Sequence, residues 1–224
     1  IDESIRHAIT KMAHIHFPAS LEASERIVRM GEDPLTVFHV GATSIDALLE
    51  LDLDNLDSVF EFQRIHGVGK RKNLKPGKYV TVIQHPVTTE YENNYDHTKQ
   101  VTLGIREIDL PVIWIWPNMD AGSDGISKAI REFRESGGAD NVYFFKSLPI
   151  EVFGPLLNNT GCIIGNSSCG IREALFLGTP SVNIGNRQQG RYRGGNVIDV
   201  DYNSEQIVQA ALQQCHRGPY ESRY

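Results

Sequence analysis

The residues best suited to chemistry cluster between positions 165 and 188. An apolar run, Cys162-Ile163-Ile164, meets the small polar string Gly165-Asn166-Ser167-Ser168-Cys169-Gly170, which opens into a helix-like segment from Ile171 to Leu177. N–H groups at a helix start lack intrahelical partners and carry the positive end of the helix dipole, so such a loop suits a phosphate. Ser167 and Ser168 add hydroxyl donors, and Gly170 would let the backbone approach a ligand. Glu173, one turn in, is placed to accept hydrogen bonds from a ribose diol. Arg187, beyond the next strand, can return as a cation against a diphosphate. The same residues also read as ordinary capping, since small polar residues before a helix and an acid near its third position stabilise any helix start.

Three further strings carry candidates. In Val82-Ile83-Gln84-His85-Pro86, a histidine stands just past a buried-looking strand that the proline prevents from continuing. In Trp116-Pro117-Asn118-Met119-Asp120-Ala121-Gly122-Ser123, Asn118 is either a ligand contact or a turn residue. Asp2 and Glu3 are acids in the first turn of a helix, with Arg6 four residues after Asp2, a stabilising arrangement by itself. His14 and His16 would share one face of a strand, but no third ligand has recognisable spacing, so no metal site is expected. Gly67-Val68-Gly69-Lys70 lacks the spacing and the Ser/Thr of a phosphate-binding loop and reads as a mobile, basic connection.

These residues require an alternation of strands and helices to position them. Helical spacing runs from Asp2 to Met12, a short strand from His14 to Phe17, and a helix capped by Ser20 to Met30. A strand at Val37 to Val40 precedes a short helix capped by Ser44 and running through Leu49. Leu56, Val59 and Phe60 mark another short helix. Strands then follow at Tyr79 to Ile83, Val112 to Trp116, Val142 to Phe145, Cys162 to Ile164, Val182 to Ile184 and Val197 to Val200. Helices at about 93–108, 123–136, 150–158, 171–177 and 204–214 fill the gaps. This pattern predicts an α/β fold with a doubly wound parallel sheet, whose ligands bind beyond the carboxyl ends of the strands. The regular alternation begins past residue 45, which suggests a boundary there.

Composition narrows the function classes. The 224 residues carry a net charge of −6, which argues against a general binder of nucleic acid or anionic membranes. No apolar run approaches a membrane span, and no signal-peptide pattern is present. The three cysteines, Cys162, Cys169 and Cys215, lack metal-ligand spacing and fit reduced thiols in a cytoplasm. Two glycosylation sequons, at Asn158 and Asn166, are read as coincidental in that setting.

The strings Asp2 to Lys11, Gln84 to Thr89, Pro117 to Ser123 and Asn166 to Gly178, continued by Gly185 to Gln188 and Arg191 to Val197, resemble the hydrolysing UDP-N-acetylglucosamine 2-epimerases in content and order. The resemblance covers practically the whole chain and implies a glycosyltransferase-B-like fold of two Rossmann-like domains. By that comparison residues 1–45 end the first domain, and residues 46–224 form a UDP-binding second domain truncated at its end. It implies phosphate contacts from Ser167 and Ser168, a ribose contact from Glu173, and Arg187 at the nucleotide. It further implies Asn118 near the ligand, His85 at the diphosphate or sugar, and Asp2 as a catalytic carboxylate. The implied reaction converts UDP-N-acetylglucosamine and water to N-acetylmannosamine and UDP through 2-acetamidoglucal, feeding sialic-acid-type synthesis, without metal or cofactor. A homo-oligomer is compatible with it. Alternatives are an epimerase of a UDP-diacetamido-trideoxyhexose, a glycosyltransferase, or a UDP-sugar-binding fragment without activity.

Overall fold

A computed structural model describes the backbone of residues 2–221 and the side chains of residues 4–221. The chain divides into two compact units, one ending at Glu50 and the other beginning at Leu51, five residues beyond the boundary expected from the sequence. The first unit holds α1 (Asp2–Met12), α2 (Leu21–Arg29) and α3 (Thr43–Leu49). The Ser20 hydroxyl caps α2 by accepting from the Ala23 N–H. Ala42, not Ser44, stands at the cap position of α3, whose start has no side-chain cap. The two expected strands of this unit reduce to one parallel bridge between His16 and Val37. His16 is buried beside the Glu32 carboxylate at 3.5 Å. Among the described residues, no group of three or more His, Cys, Asp or Glu is arranged to hold a metal ion.

The second unit is built on six parallel strands: β1 (Val80–Ile83), β2 (Val112–Ile115), β3 (Val142–Phe145), β4 (Cys162–Gly165), β5 (Ser181–Ile184) and β6 (Val197–Val200). Between them run α4 (Asp57–Ile65), α5 (Asn94–Arg106), α6 (Ser123–Glu135), α7 (Ile150–Asn159), α8 (Glu173–Leu177) and α9 (Ser204–Arg217). All four residues of β1, β3, β4 and β5, and three of the four in β2, are buried, as expected of a parallel sheet covered on both faces. Alternate side chains take opposite faces. Val80, Val82, Trp114, Phe144, Ile164 and Val182 pack under α5, α6 and α9, in one core with Ile105, Ile130 and Ile207. On the other face Tyr79, Ile113, Tyr143 and Phe145 meet Val59 of α4 and Leu156 of α7. Ile163 and Ile83 meet Leu157 and Ala174. The fold is a doubly wound, Rossmann-like α/β domain.

Strand order is β3-β2-β1-β4-β5-β6, so β1 pairs with β2 on one side and β4 on the other, and the winding reverses between β1 and β4. At such a reversal the connections leave to opposite faces and open a crevice past the strand ends. The loop at Gly67 to Lys70 is not a loose connection: Val68 forms an antiparallel bridge with Phe144 through two main-chain bonds of 2.8 and 2.9 Å. The Tyr143 hydroxyl also points at the carbonyls of Gln63 and His66, at 2.9 and 2.6 Å. Val68 thereby occupies main-chain groups of β3 on the sheet's outer edge. No helix among the described residues is long and apolar enough to cross a membrane.

Candidate functional site

Both informative strings end at the reversal point. β1 runs into Gln84-His85, β4 into Gly165-Asn166, and Asn166 ties them together. Its side-chain Oδ1 accepts from the His85 N–H at 2.7 Å, and its Nδ2 donates to the His85 carbonyl at 2.8 Å. Asn166 is fully buried, so these are bonds without competition from water. Gly165 makes the approach feasible: its φ is 135°, and a Cβ there would overlap the Ile83 carbonyl oxygen. β1 ends at Ile83, three residues before Pro86, which lacks an N–H for any further ladder bond.

The His85 ring is held from a second side, because the main-chain N–H of Asn118 donates to His85 Nδ1 at 3.2 Å. Asn118 thus comes to the site through its backbone, while its side chain is exposed. Burial, reinforced by the Arg187 cation and opposed by Asp120, pushes the His85 pKa down to about 4. At neutral pH the ring is therefore uncharged. With Nδ1 accepting, its proton sits on Nε2, leaving a hydrogen-bond donor and no free basic nitrogen.

The main-chain carbonyl of Asn166 gathers the third component. Gln188 Nε2 donates to it at 2.8 Å and Arg187 Nη1 at 3.3 Å. Gln188 is buried and Arg187 only half-buried, so the guanidinium is anchored on one edge and open to other partners on the rest. A single asparagine consequently positions both the neutral donor of His85 and the cation of Arg187.

The segment after Asn166 departs from expectation. A 3-10 turn, Ser168–Gly170, intervenes, and α8 starts only at Glu173, making that residue its first and not its third. The N–H groups of Gly170, Ile171 and Arg172 are taken by the carbonyls of Ser167 and Ser168. An anion here meets side chains more than a row of free helix amides. Nor does Gly170 make room for a ligand. It is buried, and a Cβ would come within 2.8 Å of the Ser181 hydroxyl, so its small size serves packing against β5.

Ser167 and Ser168 are half-exposed. The Ser167 oxygen accepts from the Cys169 N–H at 3.5 Å and its thiol at 3.1 Å, which leaves the hydroxyl proton to be donated elsewhere. Burial pushes the Cys169 thiol up to about 12, so it is neutral and no nucleophile. Glu173 is buried, with Arg172 Nη2 at 3.6 Å from Oε1. Asp2 lies on the backbone of α1, but its side chain is outside the described residues.

Asn166 and Gln188 were not singled out in the sequence as site residues. Asn166 carries a visible signal, a Gly-Asn pair at the end of a buried strand, which coincides with a sequon. Gln188 gives no local signal.

A family model described as UDP-N-acetylglucosamine 2-epimerase matches residues 1–222. The chain belongs to this family. It is 32% identical over 222 residues to a UDP-N-acetylglucosamine 2-epimerase of Neisseria meningitidis, covering 99% of this chain and 55% of that one. It is 34% identical over 209 residues to a hydrolysing UDP-N,N'-diacetylbacillosamine 2-epimerase of Legionella pneumophila, covering 93% and 52%. The chain therefore spans about half the length of these relatives. In fold it is similar to a UDP-GlcNAc 2-epimerase of Methanocaldococcus jannaschii solved with UDP-GlcNAc and UDP. The TM-score is 0.65 at 18% identity, over 92% of this chain and 56% of that one.

Proposed function

We propose that this chain is the UDP-holding part of a hydrolysing UDP-N-acetylglucosamine 2-epimerase, with residues 1–45 belonging to its first domain and 46–224 to its second. The observation that carries the reading is the convergence on Asn166, which sets His85 and Arg187 beside Ser167 and Ser168 at the carboxyl edge between β1 and β4.

In this reading the Arg187 guanidinium and the Ser167 and Ser168 hydroxyls meet the diphosphate, and Glu173 takes the ribose diol. Neutral His85 donates from Nε2 to a diphosphate or sugar oxygen, and Asn118 borders the ligand. Departure of UDP from the sugar leaves a 2-acetamidoglucal once a base has removed the C2 proton. Water then adds on the opposite face to give N-acetylmannosamine. The site's share is to stabilise the leaving diphosphate through fixed donors in a partly water-excluded crevice. With a pKa of about 4 and Nδ1 occupied, His85 suits that donor role better than proton abstraction. The base is then a carboxylate, for which Asp2 is the candidate. The Legionella relative, named for a diacetylbacillosamine substrate, keeps a UDP-diacetamido sugar as the second reading.

Titration calorimetry with UDP tests the assignment. Ser168→Ala and Glu173→Ala are expected to weaken binding about tenfold each, on the order of 1.4 kcal/mol, with the melting temperature held. Wild-type affinity in both variants removes these residues from the site.

A further inference from the structure

Tyr202 lies in the loop from β6 to α9, and its side chain meets α5 and the loops after β1 and β5. Its ring stacks on His97 of α5, with centroids 3.7 Å apart and planes 4° from parallel. Next to the ring is Gly185, at the end of β5, where φ is 71° and a Cβ would come within 2.5 Å of a ring carbon. The Tyr202 hydroxyl accepts from Gln84 Nε2 at 3.3 Å, directly before His85.

The contacts continue into a closed circuit. His97 Nδ1 is 4.0 Å from a Glu90 carboxylate oxygen, whose other oxygen accepts from the Asn186 side chain at 2.6 Å. Asn186 stands between Gly185 and Arg187 in the chain. Tyr202, His97, Glu90, Asn186 and Gly185 thus form a ring of contacts that joins the loops after β1, β5 and β6. One branch ends beside His85 and the other beside Arg187.

We propose that Tyr202 is a positioning residue of the UDP site, holding Gln84 and the Gly185–Arg187 turn in place so that His85 and Arg187 address the same anion. The proposal rests on the UDP reading above and extends it to a residue that contacts neither of those two side chains in its described hydrogen bonds. Aromatic packing alone would ask only for the ring. The hydroxyl, half-buried with the ring and accepting from the Gln84 amide, is what packing does not account for.

Tyr202→Phe separates the two roles, since it keeps the ring, its stack and its volume. The imidazole signals of His85 are followed by nitrogen-resolved NMR, and UDP affinity by calorimetry, on the 224-residue chain. The expected result is a displaced His85 signal and UDP binding weakened about fivefold, the range set by loss of one neutral hydrogen bond. Gln84→Met, which removes the other partner, is expected to do the same, and the double variant is expected to be no worse than the weaker-binding single one. An unmoved His85 signal with affinity within twofold of wild type overturns the proposal, as do additive effects in the double variant. Should Tyr202→Phe fail to fold, Gln84→Met alone decides by the same two readouts. Should the unaltered chain not bind UDP, the UDP reading falls, and the His85 signal still decides whether Tyr202 positions that residue.

Discussion

Removing the Asn166 side chain is the most demanding perturbation of the site. Asn166→Ala deletes the bonds of 2.7 and 2.8 Å to the His85 main chain and leaves a buried N–H and a buried carbonyl without partners. Each such group costs about 1–3 kcal/mol, so the loss is about 2–6 kcal/mol in all. For a domain of this size that lowers the melting temperature by about 4–24 °C. Affinity for UDP is expected to fall at least about tenfold, because the crossing that holds β1 against β4 also aims His85. Circular dichroism melts and UDP calorimetry measure the two effects, with Ser168→Ala as the comparison that weakens binding without lowering stability. A melting temperature within about 2 °C of wild type, together with unchanged affinity, refutes the claim that Asn166 organises the site.

Three further outcomes are expected. His85 has a folded pKa of about 4 against roughly 6.5 in the unfolded chain, so above pH 6.5 its titration leaves stability unchanged. As pH falls from 6.5 towards 4, the unfolded chain takes up a proton that the folded one refuses, and stability drops by up to about 1.4 kcal/mol per pH unit. His85→Asn removes that slope, and urea midpoints for the two proteins that run parallel between pH 7 and pH 5 contradict it. Gly165→Ala is expected to prevent stable folding, since its φ of 135° and the overlap with the Ile83 carbonyl leave no relaxed conformation; a cooperative melt near that of wild type counts against this. Arg187→Lys keeps the charge but not the planar fork, so about tenfold weaker UDP binding at unaltered melting temperature is expected; equal affinity would mean that charge alone suffices.

Much of this architecture is legible along the chain because strand burial leaves local marks. The runs Val112 to Ile115, Val142 to Phe145 and Cys162 to Ile164 are continuous apolar blocks bounded by turns, and each is a strand. The carboxyl-edge placement of His85 and of Ser167 and Ser168 follows from the same reading. Pairing partners are not local, so the bridge of Val68 to Phe144 had no sequence signature, and two glycines beside a lysine suggested a mobile loop instead. In the first unit, short apolar stretches such as His14 to Phe17 have strand-like composition but make one bridge only. α8 begins at Glu173 and not Ile171 because Ser168 to Gly170, capped by Ser167, fold into their own 3-10 turn, and the Ser167 and Ser168 carbonyls consume the amides that a phosphate would need. The roles of Asn166 and Tyr202 have no local signature because they lie in hydrogen bonds and ring stacking made across 81 and 105 residues of chain.

Proton NMR of UDP-N-acetylglucosamine mixed with the 224-residue chain in D₂O tests the central claim most directly. The account predicts that uridine and ribose signals are broadened by the protein, that Asn166→Ala abolishes the broadening, and that the sugar stays intact in the absence of the relatives' remaining half. Nucleotide signals as sharp as those of the free compound, at protein concentrations near that of the ligand, would contradict it.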